Sequence, residues 1–257
     1  MSESRPRPGT ALVTGATAGI GREFARQLAA RGHDLVLVAR NEERLEAVAD
    51  ELRAAYAVEV EVLPADLTDR DQLMAVERRA ADRERPVEVV VNNAGFGLKK
   101  RFLDNDVEQE QAMLDVMVTA VMRLTHAALG AMTERSRGGI INVSSVAAFM
   151  PRGSYSAAKA YVNQLGAWAA NEYGPRGVTV TTLCPGFTKT EFHERMDVTR
   201  GTWFMWLEPD FLVRTALADF DKGKSLSIPG RQYQAITTVT RVVPTRLLQR
   251  FQTLGRR

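Results

Sequence analysis

The feature that most constrains this chain is a regular alternation of short β-branched runs with longer amphipathic segments. The runs "ALVTG" (11–15), "DLVLVA" (34–39), "VEVEVLPAD" (58–66), "VEVVVNNAG" (87–95), "GGIINVSS" (138–145) and "GVTVTTLCPG" (177–186) read as strands. Between them the helical period covers 19–32, closed by Gly32, then 41–56 with Asn41 as N-cap, 69–83, 106–135 and 154–174. Such β-α alternation calls for an α/β fold, a doubly wound parallel sheet with helices on both faces. Ligands of such sheets bind outside the carboxyl ends of the strands. The glycine turn at 14–21 and the segments "NNAG", "VSS" and "CPG" all fall at expected strand ends, so four separate stretches converge on one edge.

At 257 residues the chain suits one domain (1–257), with 1–9 as a loose tail, 188–211 as a flap and 231–257 as a basic amphipathic segment. The flap expectation rests on "WFMW" (203–206), whose aromatics would either turn into the core or exclude water over an apolar substrate. With 45% hydrophobic and 25% charged residues, disorder is excluded. A net charge of +3 gives no support for a nucleic-acid or membrane partner. Cys184 is the single cysteine, which fits a reducing compartment; "MSESRPRPGT" has no apolar h-region, and no apolar run approaches the roughly 20 residues of a membrane span. A cytoplasmic protein is expected.

Two motifs carry chemistry. In "TGATAGIG" (14–21) Gly15 permits a tight turn, Gly19 lets backbone approach a phosphate, and Gly21 permits close helix–strand packing; Thr17 and Ile20 lie on the same turn. The spacing is G-x-x-x-G-x-G rather than G-x-G-x-x-G. At the end of the second strand, where an acid would hold a ribose 2′-hydroxyl, stand Ala39 and Arg40. A guanidinium there suits a 2′-phosphate, so NADP(H) is preferred over NAD(H); the plainer reading is a solvated cation facing Glu43. In "GSYSAAKAYV" (153–162), Tyr155 and Lys159 share a helix face. A neighbouring ammonium favours phenolate and is expected to lower the tyrosine pKa. Spacing alone is equally met by a surface helix.

With "TGATAGIG", "NNAG", "SS", "YSAAK" and "CPGFTKT" in this order, the chain resembles the classical short-chain dehydrogenase/reductase family over about residues 10–190. The resemblance implies a Rossmann-type fold and hydride transfer between a nicotinamide and a carbonyl or alcohol. It implies Tyr155 as acid/base, Lys159 holding the nicotinamide ribose, and Ser145 bonding the substrate oxygen, with Ser144 as a substitute. Asp66 and Leu67 would contact the adenine. Residues 92–95, with Asn93, Ala94 and Gly95, would line the adenine-ribose side, and Pro185, Gly186, Thr188 and Thr190 would border the nicotinamide amide. A small-molecule substrate and a homodimer through the helices near 106–135 and 155–174 are implied as well.

Three departures stand out. Met117 occupies the position where the family usually has an asparagine that supports a water beside the lysine. The gap from Ser145 to Tyr155 is short. The end of the chain runs through "TRVVPTRLLQRF", where Arg241, Arg246 and Arg250 flank apolar residues, as in a packed terminal helix or a membrane-surface contact. His33, His126 and His193 have no metal-ligand spacing. Two rivals are a non-catalytic NADP(H)-binding sensor, for which Met117 speaks, and a sugar-nucleotide epimerase or dehydratase, against which the glycine spacing speaks.

Overall fold

A computed structural model describes residues 8–191 and 205–242, the side chains of 241 and 242 excepted. His193, Trp203, Phe204, Arg246 and Arg250, the Arg241 side chain and most of the terminal tails lie outside the described residues.

The strands are β1 (Thr10–Thr14), β2 (Leu35–Ala39), β3 (Val60–Pro64), β4 (Val87–Asn92), β5 (Gly138–Val143), β6 (Val178–Leu183) and β7 (Leu226–Ser227). All pair in parallel, in the order β3-β2-β1-β4-β5-β6-β7, which makes the fold a Rossmann-type doubly wound sheet. The order reverses between β1 and β4, and the two halves wind away from that crevice.

Period-2 alternation explains why every strand is apolar on both sides. Ala11, Val13, Leu35, Leu37, Val89 and Val91 face one core, and Leu12, Val36, Val38 and Val90 the other. The first core is closed by α1 (Gly19–Ala30), α2 (Glu42–Tyr56) and, later in the chain, Leu212, Val213, Ala216 and Leu217. The second is closed by Leu73 and Val76 of α3 (Arg70–Ala80) and by Leu124 and Ala128 further on. Each such side chain contributes roughly 1.5–3 kcal/mol through burial. Local signals agree: Asn41 Oδ1 accepts from the Arg44 amide at 2.7 Å, and Asp69 Oδ1 accepts from the amides of Asp71 and Gln72.

The segment expected as one helix over 106–135 is α4 (Val107–Leu114), a π turn (Asp115–Thr119) and α5 (Ala120–Glu134). Taken together, Val107–Glu134 is long and apolar enough to cross a membrane by length and composition, contrary to the sequence expectation. Half of its most apolar window is buried within the fold, and Leu124 and Ala128 show why: it is a core helix. Next come α6 (Ser154–Tyr173), α7 (Pro209–Asp221) and α8 (Arg231–Val242).

Of the stretch expected as a flap, 188–211, residues 192–204 lie outside the described residues, and Pro209 already opens α7. The described parts on either side are joined: Thr188 bridges Leu207, Lys189 N donates to Leu207 O at 3.0 Å, and Leu207 N donates to Phe187 O at 2.8 Å. Tyr233 of α8 is 1% exposed; its hydroxyl accepts from the Phe187 amide at 2.8 Å and donates to the Met205 carbonyl. The C-terminal segment thus begins as a packed helix.

Candidate active site

At the carboxyl edge of the sheet lies a cleft of about 590 Å³. Its adenosine-like end is built from β1, β2 and β3. Gly15 has φ +66° and donates its amide to Val38 O at 2.7 Å, turning the chain from β1 toward α1. Gly19, at φ +53°, faces Thr190, whose Cβ would stand 3.1 Å from an added methyl. Gly21 does not line the cleft; a methyl there would overlap the Gly15 carbonyl, which is the close packing the sequence called for. Ala18, the residue before α1, supplies no side-chain cap, so the amides of that helix start face the cleft without one.

The turn is held from β4. Thr14 Oγ1 accepts from the amides of Asn93 and Ala94, both at 3.0 Å, and Asn93 Nδ2 donates to Thr14 O at 2.9 Å. Asn92 departs from expectation. It does not line the cleft; its side chain is buried beneath the sheet, donating to Asn142 Oδ1 at 2.8 Å and Thr125 Oγ1 at 3.2 Å. Strand alternation explains this, since Asn92 and Asn93 point to opposite sides.

Thr17, Ile20, Arg40, Asp66, Leu67, Ala94 and Gly95 line the cleft as well. Arg40 is three-quarters exposed and stands 4.0 Å from Asp66 Oδ2; that carboxylate, rather than Glu43, is its recorded partner. Asp66 Oδ1 also accepts from the Thr68 amide and hydroxyl. Sequence reasoning missed Arg44, which lines the same end and donates to Glu191 Oε1 at 3.2 Å. No local period marked it, since Arg40 lies before the N-cap Asn41 and outside the helix that carries Arg44.

At the other end Ser145, Tyr155 and Lys159 come together with Pro185, Gly186, Thr188 and Thr190. The 3₁₀ turn Val146–Phe149 takes up the short gap and leaves Ser145 beside the Tyr155 phenol. Ser145 Oγ accepts from the Ala147 amide at 3.1 Å, which leaves its hydroxyl proton to donate inward. Ser144 also lines the cleft but is buried, donating to the Lys159 carbonyl at 2.9 Å. Lys159 Nζ donates to Val143 O at 2.8 Å and lies 5.9 Å from the Tyr155 ring centre. Met117, on the π turn, is fully buried; its sulfur and Lys159 Nζ both fall within 4 Å of the space beside Gly95. π turns recur at functional sites.

The expected lowering of the tyrosine pKa is not what this geometry gives. Burial pushes the Tyr155 phenol up to about 12, against a smaller opposing effect of its Ser145 bond. Burial also lowers Lys159 to about 8 and pushes the neighbouring Cys184 thiol up to about 12. Desolvation is the largest cause of the shift for both groups, and Lys159 is not among the causes that move the tyrosine.

The family model described as short chain dehydrogenase matches residues 9–200. A short-chain dehydrogenase from Sphingobium yanoikuyae, solved in complex with NADPH, is 35% identical with TM-score 0.84, over 91% of this chain and 94% of that one. The bulky-bulky ketone specific alcohol dehydrogenase from Comamonas testosteroni is 30% identical with TM-score 0.80, over 93% and 96%. The inactive hydroxysteroid dehydrogenase-like protein 1 from Homo sapiens is 31% identical over 185 residues, 70% of this chain and 56% of that protein.

Proposed function

Because this chain belongs to the short-chain dehydrogenase family, we propose that it is an NADP(H)-dependent oxidoreductase that interconverts an apolar ketone or aldehyde with its alcohol. The observation that carries the reading is the meeting of Ser145, Tyr155 and Lys159 in one cleft with the glycine turn. The cleft fits a dinucleotide: methyls at Gly15 or Gly19 would crowd Asn93 and Thr190, and Arg40 and Arg44 supply charge for a 2′-phosphate. The NADPH complex of the Sphingobium relative supports that choice of nucleotide.

When bound, the nicotinamide supplies hydride to the carbonyl carbon. Tyr155, protonated at neutral pH with its pKa near 12, donates its phenolic proton to the carbonyl oxygen. The Ser145 hydroxyl donates to the same oxygen and steadies its developing charge. Lys159 spends one N–H on Val143 and keeps two for the nicotinamide ribose. With Lys159 near 8 and Tyr155 near 12, proton flow from the lysine side toward a spent phenolate runs downhill. Phe96, Met117, Ala112 and Val116 make the cleft wall apolar, and the ketone preference named for the Comamonas relative accords with that. Exposed Met122, Tyr161 and Trp168 on α5 and α6 support pairing of two copies through those helices.

The test is Tyr155→Phe, assayed by NADPH consumption against ketones graded in size. NADPH binding is expected to survive while kcat falls by about 10²–10⁴-fold; wild-type turnover in the variant defeats the assignment. The sensor reading draws on Met117 and on the human relative named inactive. Tight NADPH binding by wild type with no turnover across the panel favours it.

A further inference from the structure

We propose that Arg44 and Glu191 form an exchangeable clasp over the adenosine end of the cleft, in which Glu191 competes with the 2′-phosphate of NADP(H) for the Arg44 guanidinium. This rests on the NADP(H) reading above. Arg44 stands in the first turn of α2, its amide fixed by Asn41, and Arg40, Asn41, Arg44 and Asp66 line one end of the cleft. Glu191 reaches the pair from the opposite wall, along the segment in which Thr190 rests against Gly19. The ion pair therefore joins α2 to the segment that follows β6, two parts of the cleft lining 147 positions apart.

Charge balance argues for exchange. Among the described residues, two cations, Arg40 and Arg44, face two carboxylates, Asp66 and Glu191, while Glu42 and Glu43 are exposed on the same turn as Arg44. Arg44 and Glu191 are each about half exposed, so water screens their attraction. A phosphate monoester brings about −1.5 to −2 charge and three acceptor oxygens, a stronger partner for a planar guanidinium than one carboxylate. Once it arrives, a carboxylate left beside it repels it. A nucleotide without the 2′-phosphate offers Arg44 no such exchange.

The test measures Kd for NADPH and NADH by fluorescence titration of the full chain. Glu191→Gln keeps the side-chain shape and removes the competitor, so the NADPH Kd should fall about two- to fivefold, with a clearly smaller fall for NADH, whose pyrophosphate also feels the lost charge. Arg44→Gln should raise the NADPH Kd about ten- to a hundredfold, again with a clearly smaller rise for NADH. In the Arg44→Gln background, Glu191→Gln should add no more than that smaller fall. An equal effect of Glu191→Gln on both nucleotides, or no effect, overturns the clasp. Arg40→Asp separates the two ideas. If wild type shows no preference for NADPH, the parent reading falls and the clasp with it. If wild type prefers NADPH, Arg40→Asp abolishes the preference and Glu191→Gln leaves NADPH binding unmoved, the clasp alone falls.

Discussion

Replacing Lys159 by methionine should cost activity and yet relieve the fold, by an amount that depends on pH. The lysine is 4% exposed, and burial lowers its pKa from 10.5 to about 8. At 1.36 kcal/mol per pH unit that difference corresponds to about 3 kcal/mol of folding free energy. Below pH 8 the ammonium is charged in both states and the whole penalty is present. Between about 8 and 10.5 the unfolded chain binds more protons than the folded one, so stability from this group rises with pH. Methionine has similar length and removes the penalty, but it leaves the Val143 carbonyl without its donor, at about 1–3 kcal/mol. Near pH 7 the variant should therefore range from equal to about 2 kcal/mol more stable than wild type. The carbonyl cost is constant, so the pH-dependent part is the cleaner number: wild type should gain about 3 kcal/mol on the variant between pH 8 and 10.5. Tyr155, raised by burial, takes stability away above its ordinary value of 10 in both proteins; the Cys184 thiol, also raised by burial, is held lower by Lys159, so both proteins carry Cys184→Ala in this comparison. Urea unfolding midpoints of the two proteins across this range give the difference directly. A gap that stays constant with pH would show that Lys159 is not desolvated, and the proton-flow argument would fail with it.

Two further outcomes follow from the described geometry. Tyr233→Phe removes the hydroxyl that joins Phe187 to Met205; it should lower stability by about 1–3 kcal/mol in urea and raise KM for a bulky apolar ketone more than it lowers kcat. An unchanged KM would mean that the base of this segment does not shape the substrate side. Trp168→Glu places a charge in the exposed apolar face of α6 and should shift a dimer toward monomer in sedimentation velocity; a monomeric wild type, or a variant that remains dimeric, refutes pairing through that face.

The sheet was legible because its signal is local. Each strand's alternate residues fill opposite cores, so runs such as "LVLVA" declare themselves without knowledge of their partners. The glycine turn was legible for a related reason: Gly15 and Gly19 adopt positive φ, which few other residues accept. Asn41 and Gly32 likewise mark helix ends within a turn of themselves. What escaped was set by distant contacts. β7 has two residues and gains its identity from pairing with Thr182 and Leu183. Asn92 is turned beneath the sheet by strand phase, although it belongs to the same motif as Asn93. Arg44 and Glu191 lie 147 positions apart, and no periodicity joins them.

The tyrosine shows where sequence spacing stops being an energy. Four residues along a helix place Lys159 near Tyr155, and in water that proximity would favour phenolate. In the cleft the phenol and the ammonium are both desolvated, the ammonium bonds to a strand carbonyl, and each group is driven toward its neutral form. The same arrangement therefore holds a protonated phenol beside a lysine that titrates near 8. In the proposed reaction the phenol would give its proton to the ketone oxygen, with the buried lysine beside it as the stronger acid. A difference titration of tyrosinate absorbance, wild type against Tyr155→Phe, that placed this phenol below 10 would contradict that ordering of proton affinities.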